Sequence, residues 1–319
     1  MNYYDDKTVV FRDGKFIRAN EVHVDLYSQS LHYGYAVFEG IRAYRTVGGD
    51  TRIFKAREHF DRLHRSAAAM NIPLVYETEQ LIEASYELLS RNSLSDAYIR
   101  PLVYVPANMS FSRSQESHLA IAVWEMEPFL GEKLLRVMTS SFQRPNPGAF
   151  KMEAKAAGHY VNSILASQEA KAAGFDEALL TDMHGFVAEG PGANVFFEQD
   201  GQIITPGCGH ILPGITRATV MEICHDLGIG LMERSITVDE ARQADSAFFC
   251  GTATEVIGWD SLDDHRYPKS WPLSLGQKIQ EEYKCRVTEN YTASVPSRGK
   301  NFAESQGIEN QVLAQQENV

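Results

Sequence analysis

Lys155 lies in the segment MEAKAAGHYVNS, where Ala and Gly neighbours leave room for a planar group to approach the backbone. An amine in such a setting loses part of its hydration, which lowers its pKa and suits it to Schiff-base chemistry with an aldehyde. Most lysines, however, are solvated surface charges. The segment alone therefore makes Lys155 a candidate, and its significance depends on the groups that accompany it.

Glu189 lies just before a Gly-Pro-Gly turn and an apolar strand, in VAEGPGANVFF. A strand end followed by such a turn holds a carboxylate in place. A fixed carboxylate can keep a pyridine nitrogen protonated, as pyridoxal chemistry requires of its electron sink. A solvated turn carboxylate is the alternative, and it fits the isolated segment better.

Two further segments could bind an anion. In ILPGITRATVMEICHDLG a Pro-Gly turn leads into a helix that starts near Thr216, where free N–H groups and a hydroxyl are available. An ordinary helix cap explains Thr216 equally well. In CGTATEV, Gly251, Thr252 and Ala253 follow the predicted strand SAFFC and offer a second, weaker set of donors.

Strands and helices that would position these residues alternate irregularly along the chain. Asp13-Gly14 predicts a tight hairpin between two short strands, and the spacing of Phe60, Leu63, Ala67 and Met70 predicts a helix that ends before Pro73. Further strands are predicted at AYIRPLVYV, LAIAVWEM, VMTSSF, EALLTD, FVAE, NVFFEQDGQIIT and SAFFC, and further helices at about 78–91, 160–173, 216–227 and 239–244.

The pattern predicts an α+β (mixed α/β) fold of two domains. We place an N-terminal domain at 1–129, a connection at 130–136 that contains Gly131, a C-terminal domain at 137–289 and a polar tail at 290–319. Regular βαβ alternation, GxGxxG and GxxxxGK[ST] are all missing from the sequence. A dinucleotide-binding fold and a P-loop are therefore not expected.

Composition narrows the class of protein. The 319 residues are 44% hydrophobic, enough for two cores, and the net charge of -12 argues against a nucleic-acid partner. Four widely spaced cysteines form no zinc-ligand pattern, so we expect reduced thiols and no metal. The N-terminus lacks a signal-peptide pattern, and no apolar run has membrane-spanning length, which predicts a cytoplasmic protein without membrane partners.

Seven spaced segments together resemble the motif series of the branched-chain amino acid aminotransferases. These are class IV, or fold-type IV, pyridoxal-phosphate enzymes. The segments, in the family's order, are LHYGYAVFEGIRAY (31–44), REHFDRLHRSA (57–67), AYIRPL (97–102), AKAAGHY (154–160), AEGPGANVF (188–196), LPGITR (212–217) and CGTATE (250–255). The resemblance covers roughly residues 8–260.

The resemblance implies pyridoxal 5'-phosphate as cofactor, bound between the two domains. Lys155 would carry it covalently and later move the proton between the substrate α-carbon and cofactor C4′. Glu189 would pair with the pyridine nitrogen and Tyr160 with the phenolic oxygen. The phosphate would be held by Arg57, Ile215, Thr216 and Thr252.

The resemblance also implies transfer of amino groups from leucine, isoleucine and valine to 2-oxoglutarate, giving 2-oxo acids and glutamate. One pocket must then accept apolar side chains and a γ-carboxylate. Arg100 is the candidate for the γ-carboxylate, and Tyr98 with Ala253 for the α-carboxylate. Candidates for the apolar walls are Tyr33, Phe38, Trp124, Met126 and Phe129, although plain core packing explains Trp124 as well.

Several positions depart from the family's pattern. Ala157 and His159 stand where Gly and Asn are usual, and Ala188 and Cys250 precede Glu189 and the Gly-Thr turn. His159 is either a pocket residue or a packed neighbour of the cofactor tyrosine. Met126 would widen a pocket that an aromatic residue would narrow.

Three related activities share the fold and cofactor: D-amino acid aminotransferase, (R)-amine transaminase and aminodeoxychorismate lyase. YIRP and VFEGIRAY favour the branched-chain enzyme. A catalytically silent binding protein is a further alternative, against which the intact lysine, carboxylate and phosphate-site residues argue. The resemblance also implies at least a homodimer, with residues of 31–44 or 98–110 reaching the partner's site.

Overall fold

Two β-sheets carry the fold in the computed structural model, which describes residues 3–126, 130–131 and 133–289. The first sheet is antiparallel, with the strand order β2-β1-β7-β6-β4-β5 and with β3 paired to β6. Its strands are β1 (Val9–Arg12), β2 (Lys15–Arg18), β3 (Ala36–Phe38), β4 (Ile41–Arg45), β5 (Thr51–Ile53), β6 (Ala97–Tyr104) and β7 (His118–Trp124).

Three helices accompany the first sheet: α1 (Gln29–Tyr33), α2 (Ala56–Ala69) and α3 (Thr78–Arg91). The predicted apolar spacing of α2 is confirmed, since Phe60, Leu63 and Ala67 are buried in one core with residues of the sheet. Helix α3 begins with a capping box between Glu77 and Gln80 and has the predicted bounds.

The second sheet is mixed, with the order β10-β9-β8-β15-β14-β11-β12-β13 and with β16 paired to β15. Strand β8 runs parallel to both of its neighbours. The strands are β8 (Leu135–Gln143), β9 (Glu177–Thr181), β10 (Val187–Glu189), β11 (Asn194–Gln199), β12 (Gln202–Thr205), β13 (Leu231–Glu233), β14 (Ser246–Gly251), β15 (Glu255–Leu262) and β16 (His265–Arg266).

Four more helices follow in the described residues: α4 (Tyr160–Ala172), α5 (Ile215–Asp226), α6 (Val238–Arg242) and α7 (Leu275–Thr288). The first three match the predicted helices to within two residues at each end. Gly174 (φ 84°) and Gly228 (φ 65°) follow α4 and α5 in the left-handed conformation predicted for them. Strand β15 and helix α7 were not predicted.

The predicted mixture of helices and sheets is confirmed. The chain passes from the first sheet to the second between Trp124 and Leu135, a stretch that includes residues outside the described ones. The predicted connection at 130–136 and the domain bounds around it therefore stay predictions. The predicted tail at 290–319 lies outside the described residues.

Candidate active site

A cleft of about 590 Å³, open to solvent, collects residues from several loops and strand ends and from three helices. They come from α2, the end of β8, the loop before α4 and its first residue, the turn between β10 and β11, the start of α5 and the end of β14. The polar side chains that line it are Arg62, Arg144, Lys155, His159, Tyr160, Glu189, Asn194, Thr216 and Thr252. The cleft therefore brings together Lys155, Tyr160, Glu189, Ile215, Thr216 and Thr252 of the predicted site.

Lys155 extends from the loop that precedes a short 3-10 helix and α4. Its Nζ donates a hydrogen bond to the hydroxyl of Tyr160 at 2.8 Å and lies 5.2 Å from the ring centroid of Phe38. The backbone of the lysine is held as well, since Lys155 N donates to Ser66 Oγ at 3.0 Å. The amine is thus fixed in the cleft between two aromatic rings.

The small residues after Lys155 serve backbone packing. Gly158 N donates to the carbonyl oxygen of Gly34 at 3.0 Å, and a Cβ on Gly34 would lie 2.7 Å from Gly158 Cα. The sequence suggested that these small residues admit a planar group. In the structure, the small size of Gly158 has another cause, which is the close contact between the end of α1 and the lysine loop.

Glu189 is a buried carboxylate at the end of β10. Arg144 Nε lies 3.0 Å from its Oε1, Asn194 donates to its Oε2 at 2.9 Å, and the Leu212 N–H donates to Oε1 at 3.2 Å. Burial raises the pKa of Glu189, while Arg144 and the Leu212 N–H favour the charged form without cancelling that effect. The solvated turn carboxylate considered above is therefore excluded.

The start of α5 is an open anion site. Gly214 is its N-cap, and no side chain among the described residues caps the helix, so its first N–H groups are available. A Cβ on Gly214 would lie 2.0 Å from Asn194 Oδ1, which restricts this position to glycine. Ile215, Thr216 and Thr252 line the cleft here.

Arg62 lines the cleft beside the start of α5, whereas Arg57, the predicted phosphate residue, does not. Arg57 does not line the cleft; its side chain is 59% exposed and pairs with Glu79 on the surface. Both residues lie on α2, but five residues turn the helix by about 140°, so they occupy different faces. Arg62 is buried, lines the cleft and donates from Nη1 to the Pro213 carbonyl oxygen at 3.0 Å.

Arg100 forms an aromatic cluster with two of the predicted wall residues, Phe38 and Trp124, and with Tyr98, the predicted α-carboxylate residue. Its guanidinium carbon lies 4.6 Å from the ring centroid of Phe38, 5.1 Å from that of Tyr98 and 5.8 Å from that of Trp124. It donates to the Tyr98 hydroxyl at 3.1 Å, whereas its buried Nε has no partner among the described residues. Phe38 also contacts Tyr160, with ring centroids 4.8 Å apart, which joins the cluster to the lysine.

None of the residues of this aromatic cluster lines the cleft itself, and three other described residues of the predicted substrate pocket also do not line it. Tyr33 is 45% exposed and packs against Phe111. Met126 lines a separate groove with Tyr3 and Trp124, and Ala253 follows Thr252 without lining the cleft. Phe129 lies outside the described residues.

Sequence analysis missed Arg62, Arg144 and Asn194. Arg62 and Asn194 lie inside motifs that were identified, whereas Arg144 precedes Pro145 in a segment without a motif. His159, left open above, both lines the cleft and packs edge-on against Phe150 at 5.1 Å. Burial and, to a smaller extent, Arg144 lower the pKa of His159, which keeps the ring neutral.

The cleft thus combines an amine, a buried carboxylate and a set of groups that can bind an anion, namely Arg62, Thr252 and the start of α5. An aldehyde that also carries a basic ring nitrogen and a phosphate would find a partner for each of these groups, which is the donor set that pyridoxal phosphate needs. Every described helix is too short or too polar to cross a lipid bilayer. Within the described residues, no three His, Cys, Asp or Glu side chains are grouped as metal ligands.

Residues 36–262 match the family described as Amino-transferase class IV. The branched-chain-amino-acid aminotransferase of Pseudomonas aeruginosa is 38% identical, over 89% of this chain and 94% of that protein. Among solved structures, the branched-chain aminotransferase of the archaeon Thermoproteus uzoniensis with norvaline is 38% identical, with a TM-score of 0.84 over 88% of this chain and 94% of that one. The branched-chain amino acid aminotransferase of Thermobaculum terrenum in its PLP form is 32% identical, with a TM-score of 0.83 over 89% of this chain and 95% of that one.

Proposed function

The chain belongs to the class IV aminotransferases, and on that premise we propose that it transfers the amino group of branched-chain L-amino acids to 2-oxoglutarate. The cofactor is pyridoxal 5'-phosphate. The observation that carries the proposal is the aromatic cluster of Phe38, Tyr98 and Trp124 around Arg100, which adjoins the cleft through Phe38 beside Lys155 and would form a wall of the substrate pocket. That wall is apolar and contains one cation.

Each part of the cofactor has a partner in the cleft. Glu189 would hold the proton of the pyridine nitrogen, because its carboxylate is fixed by an ion pair and two hydrogen-bond donors. Tyr160 would contact the phenolic oxygen. Arg62, in place of Arg57, would hold the phosphate together with Thr252 and the start of α5.

When bound, pyridoxal phosphate supplies an aldehyde that takes up the substrate amine and an electron-withdrawing ring that stabilises negative charge at the substrate α-carbon. Lys155 Nζ would accept the α-proton and later return a proton, as a base must that lies beside the reacting atoms. The Tyr160 hydroxyl, 2.8 Å away, would hold Nζ in position. His159 remains neutral and adds no charge beside Arg144.

One pocket can serve both substrates if the wall around Arg100 offers two kinds of contact. A leucine, isoleucine or valine side chain would pack on Phe38, which is favourable because apolar surface leaves water. A γ-carboxylate would instead accept hydrogen bonds from Arg100, whose buried Nε has no partner among the described residues. Tyr98 remains our candidate for the α-carboxylate.

An amino-donor panel tests this assignment against the related activities. With 2-oxoglutarate as acceptor, we expect the purified enzyme to use L-leucine and to use neither D-alanine nor (R)-1-phenylethylamine. Arg100→Met should lower kcat/KM for 2-oxoglutarate by about 100-fold or more. The γ-carboxylate of 2-oxoglutarate would then be buried without its charge-assisted hydrogen bonds from Arg100. Activity with the D or (R) donors only would overturn the proposal.

We further propose that the enzyme is at least a homodimer. Phe111, 91% exposed, packs against Tyr33 on one surface, and α4 presents the exposed apolar residues Val161, Ile164 and Leu165. Groups of exposed apolar residues of this kind are typical of protein interfaces. We expect a solution mass of at least twice 35.7 kDa by light scattering. A wild-type monomer at enzyme-assay concentrations would contradict the proposal.

A further inference from the structure

Glu39, between β3 and β4, is a carboxylate with none of its side chain exposed to solvent. It does not line the cleft. Charged side chains are almost never fully buried unless they are paired, because removal of the charge from water costs several kcal/mol. The partners of Glu39 therefore indicate what the burial achieves.

The main partner of Glu39 is the guanidinium of Arg62. Arg62 donates from Nε to Glu39 Oε1 at 2.6 Å and from Nη2 to Oε2 at 2.9 Å, the bidentate geometry that fixes an arginine plane. His59 Nδ1 lies 2.8 Å from Oε2. Burial lowers the pKa of His59, so the ring is neutral and donates its Nδ1–H to the carboxylate.

The same guanidinium reaches the other side of the cleft. Its Nη1 donates to the carbonyl oxygen of Pro213, the residue before the N-cap of α5. Among described residues these bonds use three of the five N–H groups of Arg62, and the side chain still lines the cleft. The two remaining N–H groups are on the two terminal nitrogens, beside the open end of α5.

The charge state of Glu39 suits this arrangement. Burial on its own would raise its pKa, but the Arg62 guanidinium and the hydrogen bonds from Arg62 and His59 outweigh that effect and leave the pKa below its ordinary value. Glu39 is therefore an anion over the working pH range of the enzyme. It provides a permanent counter-charge for Arg62.

We propose that Glu39 is a positioning residue that orients Arg62 to bind the cofactor phosphate at the start of α5. The inference rests on the proposed function. Its physical basis is that an arginine side chain has many rotamers, and one that is held from Glu39 and Pro213 loses little further entropy when it binds an anion. A buried ion pair by itself is weak support for a role in stability.

The test measures the pyridoxal phosphate dissociation constant of Glu39→Gln. Glu198→Gln is the matched control, because Glu198 is also fully buried, paired with Lys269 and outside the cleft. We expect E39Q to weaken cofactor binding by about 10- to 100-fold, the worth of a hydrogen bond to a charged group. E198Q should change it by about twofold or less while lowering thermal stability.

A double-variant comparison separates orientation from general damage. Once Arg62→Ala has removed the group that Glu39 orients, E39Q should weaken cofactor binding no further. An equal loss in both backgrounds, or a loss in E39Q no greater than in E198Q, would overturn the inference. If E39Q does not fold, His59→Phe is measured instead; it should weaken binding several-fold, and unchanged binding would overturn the inference.

Failure of this inference is distinguishable from failure of the proposed function. A wild-type enzyme that binds pyridoxal phosphate and transaminates, together with an E39Q variant that binds it equally well, would refute only the role of Glu39. A wild-type protein that takes up no pyridoxal phosphate would refute the proposed function itself.

Discussion

We expect Lys155→Ala to bring transamination close to zero and to remove the yellow absorbance of the cofactor-loaded enzyme. Two contributions are lost together, the covalent attachment of the cofactor and the base beside the α-carbon, and the base alone is worth about 10²- to 10⁴-fold in rate. We expect kcat to fall by at least about 10³-fold on these grounds. The measurement is steady-state transamination with L-leucine, accompanied by an absorption spectrum of the purified variant.

Lys151→Ala is the matched control, since Lys151 lies four residues earlier in the same segment and is exposed. It should retain both the absorbance and the activity. The opposite pattern, with the spectrum surviving in the Lys155 variant and lost in the Lys151 variant, would refute the assignment of the lysine. Circular dichroism of both variants checks that the fold is intact.

Arg62→Lys should weaken pyridoxal phosphate binding by about 100-fold, because a lysine cannot reproduce planar hydrogen bonding to phosphate and Glu39 together. The lysine variant keeps a positive charge beside Glu39, whereas Arg62→Ala would leave that carboxylate unpaired at a cost of about 3–5 kcal/mol in stability. The dissociation constant is measured by titration of the apoenzyme with cofactor.

Arg57→Ala, on the same helix, provides the comparison for Arg62→Lys. Arg57 is exposed and pairs only with the exposed Glu79 in the described structure, an ion pair that contributes little. Cofactor binding should change by about twofold or less, as is usual for surface substitutions. Strong loss of binding in the Arg57 variant, with little loss in the Arg62 variant, would restore the original sequence prediction.

The difference between these arginines shows where motif spacing alone is insufficient. Both lie in REHFDRLHRSA, and sequence analysis chose the one at the start of the segment. The apolar spacing of Phe60, Leu63 and Ala67 does not separate the two arginines, since both lie well away from the centre of that stripe. In the folded chain, the buried side of α2 includes Arg62 together with His59 and Ser66. A charge on that side must have a partner, whereas Arg57 is on the exposed side.

Elements whose conformation depends on neighbouring residues were predicted from short sequence patterns. The hairpin at Asp13-Gly14 adopts φ angles of 48° and 84°, as such a dipeptide favours. Strand β15 was missed because it begins at Glu255, a non-glycine residue with φ 53° that no turn pattern announces. Helix α7 could have been predicted, since Ile279, Tyr283 and Val287 recur every four residues after the Ser274 cap.

Several residues that the sequence proposed for the site lie together in the structure, while their roles stay predictions. Lys155, Tyr160, Glu189 and Thr216 all line the cleft. The partner of Glu189 was not predicted, because Arg144 is 45 residues away in sequence and only the pairing of β8, β9 and β10 brings their ends together. Such long-range pairs leave no trace in the spacing of one sequence.

Removal of the α-proton of branched-chain L-amino acids is the step that the cleft must carry out. Its most direct test compares L-leucine with D-leucine as amino donor for the purified, cofactor-loaded enzyme, with 2-oxoglutarate as acceptor. We predict formation of glutamate and the leucine-derived 2-oxo acid in equal amounts from L-leucine, and none from D-leucine. Transfer from D-leucine with none from L-leucine would contradict the claim.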